Sequence, residues 1–397
     1  MSSLVEKARA FALTTRPYLY RPGEPRPRPA SDRLEAIVAH CASLTEDETT
    51  LALAWVWDLV DTTVVTYEDV ERELGGALAA RVLEITPVSL PSEGTRAERL
   101  ATDRCHFERA SADAKLVRLA ALVEQCREAC HPKALMASTF VSETRALLDV
   151  LAPREARLAE QARELLARCE TRRERPRRGA DGDDGRARAT RPEELTMRAA
   201  FLQVFSARHI AEALPEGEPT GSIRPDQIVE DTTCLSDVVI VLTRHERCFV
   251  RAAGEVRWLI TRGDLQKPAA RMWLFGIVTL AEMEFSMRIR ALWPDAAWGE
   301  RLSSGRLELA QSLRAERQRR GQHVDLVDCL QLSDKAQLLM EDPDQLAAFD
   351  FESRSAAKRA ARELESLRNN LAHAQDIVAH DWPQIVRLAW RAAPSVA

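Results

Sequence analysis

The stretch from Thr171 to Arg191 reads "TRRERPRRGADGDDGRARATR" and holds no large apolar residue. Arg, Gly and Asp crowd it, so no hydrophobic core can run through it, and residues 171–192 read as a flexible, solvated linker between two separately folding parts. With 397 residues, 45% of them hydrophobic and 29% charged, the chain can bury sizeable cores on both sides. Its net charge of −5 supplies no global basic field, so any contact with RNA has to be local. Aromatic residues are scarce while Ala, Leu, Arg and Glu are abundant, a composition that favours helix. The eight cysteines have no regular spacing, which argues for reduced thiols and against a disulfide framework. No signal-peptide core opens the chain. The longest apolar run, "MWLFGIVTLAEM", is roughly half the ~20 residues that a membrane span needs. These features predict a cytoplasmic protein without membrane contact.

Before the linker the apolar spacing is helical throughout. "SDRLEAIVAHCASL" sets Leu34, Ile37, Val38 and Cys41 on one face behind a Ser/Asp start, and "DETTLALAWVWDLVDTT" does the same with Leu51, Ala54, Trp55 and Leu59. After the linker, "EELTMRAAFLQVFSARHIAEAL" reads as a short helical stretch. An amphipathic helix follows, and then two β-prone runs, "CFVRAA" and "VRWLITR", separated by a glycine turn. From Met272 onward the helical pattern resumes.

"WDLVDTTVVTYEDVERELGGALAARVLEIT", "KLVRLAALVEQ" and "ETRALLDVLAPREARLAE" resemble, in this order, segments of the HD-type hydrolase domain of RelA/SpoT alarmone enzymes, over roughly residues 20 to 168. The resemblance implies a divalent metal held by three His/Asp segments, because a hard cation needs imidazole and carboxylate ligands converging on one point. The aligned positions here are Arg33, Trp57, Asp58 and Ala121, and only Asp58 is retained. The neighbouring Glu-Asp pair becomes Asp61-Thr62. The resemblance therefore implies a degenerate pseudohydrolase domain, with no metal, serving as a nucleotide pocket or a docking surface. A separate group, Cys105, His106, Cys126, Cys130 and His131, offers zinc-type ligands, although a helical spacing suits small apolar packing better.

"GEVRWLITRGDLQKP" resembles the second half of a CBS motif, which implies that Thr261 and Asp264 hold the ribose of a regulatory nucleotide. The same string also reads as a strand stop followed by an Asp cap. Near the C-terminus, "RELESLRNNLAHAQDIV" carries Leu364, Leu367 and Leu371 as an apolar stripe, with Asn369, His373 and Asp376 nearly opposite and Arg368 on the flank. Asn-Asn followed by Leu-Ala-His is unusual in mid-helix, and "RNNLAH" resembles the Arg-Asn-x-x-x-His signature of HEPN domains, all-α bundles that include metal-independent ribonucleases. The resemblance implies Arg368 and His373 as catalytic residues, Asn369 as an orienting one, and RNA as the substrate. It also implies a homodimer through this helix, with Glu282 or Glu284 as a supporting acid.

The architecture expected is mainly α: an HD-like domain at 1–170, the linker at 171–192, a CBS-like α/β module at 193–270 and a HEPN-like bundle at 271–397. The function expected is that of a metal-independent endoribonuclease, a toxin or a defence or stress effector under nucleotide control. The alternative is a nucleotide-sensing scaffold in which the HD and HEPN parts are both inactive.

Overall fold

In the computed structural model, which describes residues 3–15, 30–130, 140–151, 156–174, 204–215, 223–295, 297–349, 351 and 354–392, helices begin where a short oxygen-bearing side chain caps them. Asp47 accepts the Thr50 amide and starts α3 (Glu48–Val56). Thr66 and Asp69 form a reciprocal capping box at α5 (Tyr67–Leu74), and Thr95 and Glu98 form another at α7 (Arg96–Glu108). The remaining N-terminal helices are α1 (Leu4–Thr15), α2 (Ala30–Ala42), α4 (Leu59–Thr62), α6 (Gly76–Ile85), α8 (Ala112–Ala129), α9 (Phe140–Leu151) and α10 (Ala156–Glu174). Helix α8 is the spine of this half: Leu116, Val117, Leu119, Ala120, Leu122 and Val123 are all buried, so the helix is apolar nearly all round. Leu34, Ile37, Leu53 and Leu59 share its core. The segment read as a linker begins inside the last turn of α10, and residues 175–192 lie outside the described residues.

The second half is mainly helical around one four-stranded sheet. Strands β1 (Glu212–Ala213), β2 (Ile228–Glu230), β3 (Arg247–Ala252) and β4 (Glu255–Thr261) lie in the order β1-β4-β3-β2. β2 and β3 run parallel, joined across α11 (Leu235–Arg244), while β3 and β4 form a hairpin and β1 adds antiparallel to β4. The hairpin turn needs left-handed backbone at Ala253 and Gly254, with φ of 50° and 84°. A 3₁₀ turn at Arg262–Gln266 leads into α12 (Pro268–Leu292). Then come α13 (Ser304–Arg319), α14 (Leu332–Met340), α15 (Pro343–Ala348), α16 (Arg354–Ala372) and α17 (Val378–Ala392).

Two expectations change. The stretch expected to be helical before the sheet is helical at Val204, where its described part begins, but from Ser206 onward it is a Ser206–Cys234 bridge, a 3₁₀ turn at Ala207–His209 and strand β1. Pairing with β4 and Cys234 gives that backbone long-range partners which outweigh its local preference. The boundary expected between residues 270 and 271 falls inside a single core. Val238, Val250 and Ile260 from the sheet layer pack in one cluster with Trp273 of α12, Leu367 of α16 and Ile385 of α17. Helix α11 is buried along its whole length, because the sheet covers one side and α17 the other.

Arg262 is the joint of the molecule. Its Nε donates to the Leu242 carbonyl at 2.9 Å and one terminal nitrogen to the Thr243 carbonyl at 3.3 Å, at the carbonyl-rich end of α11 where a cation is favoured. The other terminal nitrogen reaches the Val64 carbonyl of the N-terminal half at 2.8 Å, and the guanidinium lies 4.6 Å from the ring centre of Trp382 in α17. Burial lowers its pKa to about 10, still far above neutrality. Arg262→Ala leaves three carbonyls without their donor, so we expect a loss of about 3 kcal/mol in urea unfolding and faster hydrogen exchange at the contact between the halves. An unchanged unfolding midpoint would contradict this assignment.

Candidate functional site

The resemblance-derived metal positions come together, but not as a metal site. Helices α2, α3 and α8, which carry or directly precede Arg33, Trp57, Asp58 and Ala121, pack on one another. Arg33 and Asp58 are both buried and form an ion pair at 3.3 Å, with Glu128 a further 3.8 Å from the same guanidinium. The positive charge that a metal would bring to Asp58 is thus supplied by the chain itself. Trp57 and Ala121 are buried and offer no ligand atom, and Trp57 instead receives the Arg118 guanidinium over its ring at 5.2 Å. Asp61 keeps contact with solvent but is walled by protein. Desolvation raises its carboxyl above the usual range, against the pull of Arg244 and then Arg118. These residues do not fit a divalent metal.

The zinc-type set also disperses. Cys126 sits in the core, where burial raises its thiol to about 12, and Cys130 Sγ donates to the Leu165 carbonyl at 3.1 Å. His106 Nε2 lies 3.0 Å from the Leu83 carbonyl, Cys105 is exposed, and His131 lies outside the described residues. Among the described residues no group of three or more His, Cys, Asp or Glu side chains is placed to hold a metal.

Thr261 and Asp264 bond to each other. Asp264 Oδ2 accepts from the Thr261 amide at 2.7 Å and from its hydroxyl at 2.9 Å, and Lys267 takes the other carboxylate oxygen at 2.7 Å. This capping box fixes the start of the 3₁₀ turn and thereby aims Arg262 at its three carbonyls.

At the C-terminal motif, Leu364, Leu367 and Leu371 are buried while Arg368, Asn369 and His373 are exposed. The segment does not lie in mid-helix: α16 ends at Ala372, and His373 opens the turn that follows. Ala374 takes the left-handed conformation, φ 55°, and the Gln375 amide closes back on the Asn370 carbonyl at 2.9 Å, the pattern of a Schellman stop. Arg271 of α12 seals that stop by donating to the carbonyls of Asn370, Leu371 and Gln375 at 2.8, 3.1 and 2.9 Å. Asn370 Nδ2 donates to buried Asp381 of α17 at 2.7 Å, and Asp376 caps α17 through the Val378 and Ala379 amides. Arg368 donates to Asn369 Oδ1 at 3.2 Å. The His373 ring has no hydrogen-bond partner among the described residues. The turn is therefore held at both ends, while the Arg368 guanidinium on the last turns of α16 and the His373 imidazole after it face water. Glu282 and Glu284 are engaged elsewhere, with Lys335 and Arg288, and Glu282 lies roughly 16 Å along α12 from Arg271 at 1.5 Å per residue.

His245 is a residue that the sequence reading did not single out. It is fully buried between Glu68 of the N-terminal half, at 2.9 Å, and Asp226 beside the sheet, at 3.1 Å, with the Tyr67 ring 5.1 Å away. Glu68 further accepts from Gln227 and the Glu246 amide, while Arg244 donates to the carbonyls of Val88 and Ser89. A histidine next to an Arg at the end of an apolar helix gives no sign in the sequence of one partner 19 positions away and another 177 positions away.

No family model matches the sequence, and no curated protein matches it. Among solved structures, one described as "A metazoan ortholog of SpoT hydrolyzes ppGpp and plays a role in starvation responses" aligns with 42% of this chain and 96% of its own length. The two are 20% identical, with a TM-score of 0.37.

The His245 bridge makes the contact between the halves depend on pH. Burial pulls the imidazole pKa down, but its hydrogen bonds to Asp226 and Glu68 outweigh that and leave it above its ordinary value. A raised folded-state pKa means that the contribution is complete below the ordinary histidine range and is lost as pH rises through the raised value. Burial works to raise the carboxyls of Glu68 and Asp226, but the His245 hydrogen bond leads the effects that hold both below their usual range, so their share is lost only in acid. We expect hydrogen exchange at the Glu246 amide to quicken, beyond its intrinsic pH dependence, as pH rises above the ordinary histidine range, and His245→Gln to flatten that excess. A wild-type profile as flat as the variant's would contradict the bridge.

Proposed function

We propose that the chain is a metal-independent endoribonuclease whose active groups are Arg368 and His373 at the end of α16, oriented by Asn369 and brought into a closed site when two copies meet through this helix. One observation carries the reading. Three residues whose chemistry suits phosphodiester cleavage are exposed where α16 ends, Arg368 and Asn369 on its final turns and His373 on the turn that follows, which Arg271, Asn370 and Asp376 hold in place. In the reaction an imidazole takes the proton of a ribose 2′-hydroxyl, whose oxygen attacks the adjacent phosphorus while the 5′-oxygen leaves and is protonated. The guanidinium fork stabilises the added charge on the phosphoryl oxygens. The products are a 2′,3′-cyclic phosphate and a 5′-hydroxyl. No step is routed through a metal.

On this reading the N-terminal half is a degenerate HD-type domain that restrains the nuclease. The sheet module, CBS-like in its strand-helix-strand-strand order, transmits an effector signal, a nucleotide in the simplest case. The contact that supports such coupling is short: Arg262 reaches Val64 in the N-terminal half and stacks on Trp382, the neighbour of Asp381, which bonds Asn370 within the motif. A toxin or a stress or phage-defence effector is the setting that we propose for such a restrained enzyme. Because Thr261 and Asp264 bond to each other, a nucleotide using them has to displace that capping box.

The reading is tested by incubating the full chain with varied single-stranded RNAs in EDTA, alone and with adenine and guanine nucleotides. We expect cleavage to ends carrying 2′,3′-cyclic phosphate, reduced at least ~100-fold in His373→Ala, the lower bound for loss of an acid-base group. Wild type and His373→Ala equally inactive throughout would overturn it, and tight nucleotide binding without cleavage would then favour a sensing scaffold.

A further inference from the structure

Three hydrophobic clusters of the second half meet at Phe285, which packs against all of them. Packing stops short where they meet. A cavity of about 100 Å³ lies among α12, α14, α16 and α17, and four alanines line it: Ala281, Ala336, Ala360 and Ala361. Larger side chains at these positions would fill the space. Part of the remaining wall is aromatic, with Phe285 and Phe349 set edge to face at 5.4 Å and 89°.

The polar groups at this cavity determine the charge of what it can hold. Glu284 is paired with Arg288 at 2.9 Å, and Arg288 donates to Gln345 Oε1 at 3.0 Å. Arg387 is paired with Glu363 and donates to Gln384 Oε1 at 3.0 Å. Each charge is matched, so an ionised ligand would have no counter-charge and would be desolvated at a loss. The same bonds orient the two glutamines. With each amide oxygen taken by an arginine, each amide nitrogen is left as a donor, and neither has a partner among the described residues. Gln384 is only 6% exposed, so its donor is largely withheld from bulk water.

We propose that this cavity binds a small uncharged aromatic molecule bearing a hydrogen-bond acceptor, its ring lying among the alanines and Phe285 and its acceptor, such as a carbonyl oxygen, meeting Gln384 and Gln345. A cavity of this order has room for a single ring. The inference stands apart from the nuclease reading, because its readout is binding and not cleavage.

The test is saturation-transfer NMR on the full chain with acetophenone and benzene as probes. Both should bind, acetophenone more tightly. Gln384→Leu should weaken acetophenone about fivefold, the value of one ordinary hydrogen bond, while leaving benzene unchanged. Ala361→Leu should abolish both, and Ala336→Leu serves as a second filling variant if the first does not fold. No transfer to either probe with wild type would mean a packing gap that solution dynamics close. Binding unaltered by both filling variants would place the probes elsewhere, and either result overturns the proposal.

Discussion

The guanidinium of Arg262 binds three parts of the chain that are far apart in sequence. It gathers carbonyls from α11 and from the loop after α4, and it covers the face of Trp382. No aliphatic residue can do this, since the joint consists of backbone carbonyls, two of them part-buried at the end of α11 and one at exposed Val64, that only a donor can link. Because Arg262 sits between the two members of a capping box, local backbone chemistry sets its direction and long-range contacts supply its partners. The placement of the N-terminal half against the sheet, and of the sheet against α17, follows from it, together with the ion pairs around His245.

Much of this architecture was legible in the sequence wherever one local rule was enough. The stripe of Leu364, Leu367 and Leu371 marked the buried face of α16, and the texture around Gly254 marked a hairpin, because periodicity and turn chemistry are local properties. Thr66-Asp69 and Thr261-Asp264 show the opposite case. Both follow the pattern Thr-x-x-Asp, both were read through family motifs, and both form capping boxes in the structure. The shared core across residue 270 was hidden, since periodicity tells which face of a helix is buried but not what covers it. His245 and Arg262 were hidden for a related reason: a buried charge is tolerated only through its partners, and these come from other parts of the chain.

The substitution of Arg33 for an expected ligand acquires physical meaning in the fold. A buried guanidinium against Asp58 keeps the carboxylate satisfied from within the chain, so this carboxylate needs no cation to be buried. Under the proposed function the first half supplies surface and stability, and the groups that act on RNA lie at the end of α16. On the proposed reading, the exposure of Arg368 and His373 makes the monomer incomplete by design, since neither residue has a second wall against which to enclose RNA.

That incompleteness is the central claim, and complementation between two inactive chains measures it directly. Full-length Arg368→Ala and His373→Ala chains, each inactive alone, would be mixed, allowed to exchange partners and assayed for RNA cleavage in EDTA. A site built from two copies predicts that mixing restores cleavage, because one of the two shared sites recovers an intact arginine and histidine. A mixture as inactive as its separate components, under conditions where the mixed dimer is demonstrated, would contradict the account.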